Sequence, residues 1–71
     1  MNTFADALVA ARRGAHLTQQ QVADYLGIDR WVYSLFERGK TTPAPRHIET
    51  ICALYGISAQ TLTSGVSPYD L

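Results

Sequence analysis

QQQVADYLGIDRWVYSLF, residues 19–36, is the stretch whose reading decides the fold. Its first half sets Val22, Ala23 and Leu26 at helical spacing on one face. Thr18 precedes it, with Gln21 three residues on. At that spacing a hydroxyl and an amide can reciprocally satisfy the unpaired N–H groups at a helix start. Gly27 stops this helix, because glycine takes the left-handed conformation without a Cβ penalty. Asp29 suits the N-cap of a second helix, expected over about residues 30–38 and ended by Gly39. A turn of three or four residues containing glycine sets two helices at about 90–120°. Ala23 is small where the two cross, and Val22, Leu26, Ile28, Tyr33 and Phe36 fill the space between them. The later helix is thereby held out from the body, able to enter a groove.

Working outward, Phe4, Ala7, Leu8 and Ala11 recur at helical spacing, with Thr3 as N-cap, Asp6 in the first turn and Gly14 as the stop. This predicts a helix over about residues 3–13. Downstream, Thr41 to Pro45 is a proline-rich loop, and Pro43 and Pro45 are placed to precede or begin a helix. Ile48, Ile51, Cys52 and Tyr55 give that helix its stripe, and Gly56 ends it. Ser58 caps a last short helix containing Leu62, closed by Gly65. The expectation is an all-α bundle of five short helices, with no alternating strand pattern in competition.

A chain of 71 residues has room for one small domain. Its apolar fraction of 46% and zero net charge disfavour disorder. Six Lys plus Arg against six Asp plus Glu also argue, at first sight, against a nucleic-acid partner. The charges are uneven, however. Arg30, Arg38, Lys40 and Arg46 fall within residues 28–47, where only Asp29 and Glu37 oppose them, and Asp29 is expected to serve as a helix cap. A neutral total can hide a locally basic face.

Cys52 is the only cysteine, so no intramolecular disulfide forms, and with two histidines, His16 and His47, it cannot make a Cys₂His₂ or Cys₄ zinc site. Cys52 is expected to be a small core hydrophobe, and both histidines ordinary turn or surface residues. No apolar run approaches the roughly 20 residues that span a bilayer. Met1 to Ala11 carries no basic leader and includes Asp6. These features predict a soluble intracellular protein. Ser34 has no paired histidine and acid, and no nucleophile–base pair, metal cluster or phosphate loop is found. Neither catalysis nor a cofactor is expected.

Leu17 through Ile28, then Phe36-Glu37-Arg38-Gly39-Lys40, Pro43 and Leu54-Tyr55-Gly56-Ile57-Ser58, taken in order, resemble the Cro/lambda-repressor (XRE) type of helix-turn-helix domain. The likeness spans about residues 4–64. It implies a compact five-helix lambda-repressor-like bundle over residues 1–65, followed by a C-terminal tail at 66–71. It further implies a sequence-specific transcriptional regulator acting on double-stranded DNA. The simplest form is a homodimeric repressor that occludes a near-palindromic operator overlapping a promoter. Such a protein would be cytoplasmic and nucleoid-associated, of bacterial or phage origin.

By position, the resemblance gives Gln19 a phosphate contact at a helix N-terminus. It directs Arg30, Trp31, Ser34 and Leu35 to base edges, with Arg30 suited to guanine O6 and N7. Arg38, Lys40 and Arg46 would lie over the DNA backbone, and Arg12 and Glu37 would form a partly buried ion pair. Three departures stand out. His16 replaces a common glycine, and Tyr33 is larger than the usual Ile or Val. Trp31 and Leu35 are apolar where relatives usually carry polar or basic residues. Four apart, they share a helix face. They suit thymine methyls, or alternatively a protein partner, as in an antitoxin or antirepressor built on the same fold. Val66, Tyr69 and Leu71 in the tail leave it either disordered or swapped across a dimer.

Overall fold

The computed structural model describes residues 4–58 together with Gln60 and Leu62. They form α1 (Phe4–Gly14), α2 (Gln19–Leu26), α3 (Arg30–Glu37) and α4 (Pro45–Tyr55). No strand occurs among the described residues. The starts of these helices follow local chemistry. At α2 the Gln21 N–H donates to Thr18 Oγ1 at 3.0 Å, and the Thr18 N–H donates back to Gln21 Oε1 at 2.8 Å. Asp29 takes the cap position of α3 in extended backbone, but its side chain makes no capping hydrogen bond. Pro45 begins α4, where its missing N–H costs nothing. Thr3 lies outside the described residues.

All four helices end in one device. A residue two or three past each helix end donates its N–H to the carbonyl five residues earlier: Leu17 to Arg12, Ile28 to Ala23, Lys40 to Leu35 and Ile57 to Cys52. This six-to-one closure needs a left-handed residue just before the donor. Gly27, Gly39 and Gly56 supply it with φ of 73°, 71° and 69°. At α1 the expected stop, Gly14, is instead the last helical residue, and His16 takes the left-handed conformation at φ 59°. Of the closing donors, Leu17, Ile28 and Ile57 also pack on the core, which fixes the direction of the chain leaving each helix.

Four of the five expected helices lie among the described residues. Beyond Ser58 only Gln60 and Leu62 are described, both helical, with the Leu62 N–H donating to Ser58 O at 3.2 Å. The remainder of the expected fifth helix, Gly65 and the 66–71 tail lie outside the described residues.

The core joins Leu8 of α1, Val22 and Ala23 of α2, Tyr33 and Phe36 of α3, Ile51 and Cys52 of α4, and Leu62. Burying the larger of these, Leu8, Val22, Phe36, Ile51 and Leu62, contributes about 1.5–3 kcal/mol each. Tyr33 and Phe36 meet edge to face, with ring centroids 6.1 Å apart. Ala23 is fully buried, consistent with close approach of α2 and α3, and Leu26 and Ile28 pack against the same core. Pro43 is buried in the loop between α3 and α4. None of the described helices is long and apolar enough to cross a membrane.

Candidate nucleic-acid interface

Helical periodicity divides α3 into two faces. Tyr33 and Phe36 point into the core, and one arc of the remaining surface carries Arg30, Trp31, Ser34 and Leu35, with Arg38 just beyond. Arg30 and Trp31 are exposed, Trp31 by 62%. Ser34 and Leu35 are half-buried. The Ser34 hydroxyl donates to its own helix, to Trp31 O at 2.7 Å. Its donor is therefore occupied, and only its lone pairs remain to offer. Arg38, Lys40 and Arg46 are all exposed.

A clasp beneath this face holds α3 in place. Arg12 reaches across from α1, with Nε donating to Glu37 Oε2 at 2.6 Å and Nη2 to Oε1 at 3.1 Å. Its Nη1 donates to Leu17 O at 3.0 Å, tying down the residue before the α2 cap. Gln19, the first residue of α2, donates Nε2 to Glu37 Oε1 at 3.0 Å. Three helices thus meet at one carboxylate, whose side chain is only 4% exposed. The planar guanidinium makes this a two-pronged, charge-assisted contact that fixes orientation as well as distance.

Burial pushes the Glu37 carboxyl up. Hydrogen bonding to Arg12 and Gln19, with the Tyr33 hydroxyl nearby, outweighs that penalty and holds it below the ordinary carboxylate range. The Arg12 guanidinium is held charged chiefly by its bond to Glu37.

Each sequence-expected site residue can now be placed. Arg12 and Glu37 form the expected pair. Arg30 and Trp31 project into solvent, as do Arg38, Lys40 and Arg46. The Gln19 amide is tied to Glu37 through one of its N–H groups, and the N-terminal end of α2 offers a further means of meeting an anion.

Sequence reasoning missed the surroundings of the clasp. The Tyr33 and Tyr55 hydroxyls are buried beside it, close to Glu37 and to each other, and neither reaches good hydrogen-bond geometry. Burial pushes both phenols up. It does the same to the Cys52 thiol, which leaves that cysteine an unreactive core residue.

The surface is also divided by charge. A groove of about 460 Å³ along the α2–α3 turn is lined by Asp24, Gly27, Ile28, Asp29 and Val32. Its carboxylates repel phosphate. Arg30, Arg38, Lys40 and Arg46 lie elsewhere, on the outer arc of α3, in the following loop and at the start of α4.

Comparison with known proteins agrees with this geometry. A helix-turn-helix family profile matches residues 8–62. The chain is 32% identical over 69 residues to the SPbeta prophage-derived uncharacterized HTH-type transcriptional regulator YonR of Bacillus subtilis (strain 168), covering 96% of this chain and 64% of that protein. It is 34% identical over 64 residues to the uncharacterized HTH-type transcriptional regulator YqaE of the same organism, covering 90% of this chain and 55% of that protein. The chain therefore spans less than two thirds of the length of either relative. A capped α2, a glycine turn, a clasped and outward-facing α3 and a profile match over most of the sequence lead to one assignment: the chain belongs to the XRE-type helix-turn-helix family.

Proposed function

We propose that the chain is a sequence-specific DNA-binding transcriptional regulator that acts as a homodimer and represses by covering an operator. The observation that carries this reading is the outer arc of α3. It is held rigidly by the Arg12–Glu37 clasp, presents exposed Arg30 and Trp31, and is followed by exposed Arg38, Lys40 and Arg46. Arg30 pairs with a guanine edge, while Arg38, Lys40 and Arg46 neutralise phosphates. The N-terminal end of α2 adds a backbone phosphate contact near Gln19. A two-fold pair sets its recognition helices about 34 Å apart on successive major grooves, which is why the operator is near-palindromic. The two relatives named as transcriptional regulators support the same reading.

The test is selection of binding sites from random double-stranded DNA, followed by titration of a recovered site at several salt concentrations. Three phosphate-neutralising cations per protomer predict a log–log salt slope of about −5 for the dimer. Arg30→Ala is expected to relax preference at one base pair per half-site, costing about 1–3 kcal/mol there. Lys40→Ala is expected to weaken all sequences alike. Recovery of no common sequence would overturn the regulator reading.

A further inference from the structure

The outer arc of α3 has an unusual chemical inventory for reading bases. Arg30 contributes a cationic fork. The Ser34 hydroxyl donor is already engaged by Trp31 O at 2.7 Å, so Ser34 can only accept. What remains is apolar: the indole of Trp31, 62% exposed, and the isobutyl group of Leu35, half-buried one turn on. Residues four apart on a helix are surface neighbours, so the two form one apolar strip beside Arg30. Tyr25, the other large exposed apolar residue described, lies on α2, and Val32 of α3 lines the groove by the α2–α3 turn, so this strip is the apolar surface on the outer arc of α3. The apolar group that a base pair displays in the major groove is the thymine C5-methyl.

We infer that each operator half-site is read chiefly through thymine 5-methyl groups by Trp31 and Leu35, next to a guanine read by Arg30. This rests on the DNA-binding reading and adds the chemical class of the recognised group. The driving force is removal of the exposed indole and the methyl from water together, not a hydrogen bond. Discrimination at the thymine positions therefore depends on one carbon atom of the DNA. Hydrogen-bond readout by Ser34 plays no part at those positions.

The experiment changes the DNA and leaves the protein intact. A site recovered by selection is resynthesised with deoxyuridine replacing thymidine one position at a time, which removes the methyl and preserves pairing. Binding is measured for the wild-type chain and for Trp31→Ala and Leu35→Ala. Trp31 lies outside the core, and the folding of both variants is checked by helical circular dichroism.

The expected result is a loss of about fourfold at one or two positions per half-site, and about fifteenfold when both half-sites are changed together. That sensitivity is expected to disappear in Trp31→Ala or in Leu35→Ala, while the guanine preference set by Arg30 persists. Selective binding with no effect of deoxyuridine anywhere would overturn this inference and leave the DNA-binding reading standing. Unchanged DNA affinity in Trp31→Ala would also overturn it, and would point to a protein partner for the strip. If selection recovers no common sequence, both readings fall together.

Discussion

His16 does the work of a glycine while carrying an imidazole. At φ 59° it closes α1 just as Gly27, Gly39 and Gly56 close the other helices. A left-handed residue with a Cβ costs about 1–2 kcal/mol. Glycine would relieve that strain but lose about 0.4–1 kcal/mol through a more disordered unfolded chain. His16→Gly is therefore expected to stabilise the fold by about 0.5 kcal/mol, raising the melting temperature by about 2–4 °C. A fall in melting temperature would mean that the imidazole makes a stabilising contact. The sequence pointed to Gly14 as the stop because glycine is the usual signal. Nothing local shows that the chain runs two residues further before reversing. The Tyr33 and Tyr55 hydroxyls were equally illegible, since they stand on different helices and meet only after α3 and α4 pack. A buried hydroxyl without a partner costs about 1–3 kcal/mol. Tyr55→Phe is accordingly expected to leave stability unchanged or raise it by about 1 kcal/mol, as read by urea denaturation.

At the scale of the element, helix ends were the most legible feature, because they are settled by residues close in sequence. Thr18 and Gln21 announce α2, and both capping bonds form. Thr18→Ala is expected to cost about 1 kcal/mol in thermal or chemical unfolding. Asp29 shows the limit of such signals. It stands at the cap position of α3 without bonding there, so its charge stays exposed beside the helix that carries Arg30. It gains from the α3 dipole but opposes an approaching phosphate. Asp29→Asn is expected to strengthen binding to all DNA sequences at low salt, with the sequence preference unchanged. Gln19 was assigned to phosphate from its place at a helix start. Its tie to Glu37, eighteen positions away, is a tertiary fact that no local pattern carries.

For the whole molecule, zero net charge conceals a local division: Asp24 and Asp29 line the α2–α3 turn, while Arg30, Arg38 and Lys40 gather on the outer arc of α3 and the loop after it. The clasp makes the fold sensitive to acid. The Glu37 carboxyl is held below its ordinary value of 4.5, so the pair's contribution is fully present above that pH. It is lost as pH falls through the lower folded-state value. Stability is thus expected to hold level above about pH 5 and decline below about pH 4.5, with a flatter decline in Glu37→Gln. Arg12→Ala would strand a carboxylate that is 4% exposed, at a cost of about 3–5 kcal/mol. The timing of that loss follows from topology. Each helix-end closure links residues five apart or fewer and forms with its helix, whereas the clasp joins residues 25 apart and needs α1 and α3 already docked. Contacts made after the rate-limiting step act on unfolding. Arg12→Ala is expected to speed unfolding by roughly two to three and a half orders of magnitude and barely slow refolding, as stopped-flow fluorescence of Trp31 can record. The same guanidinium that aims α3 therefore sets the lifetime of the folded chain.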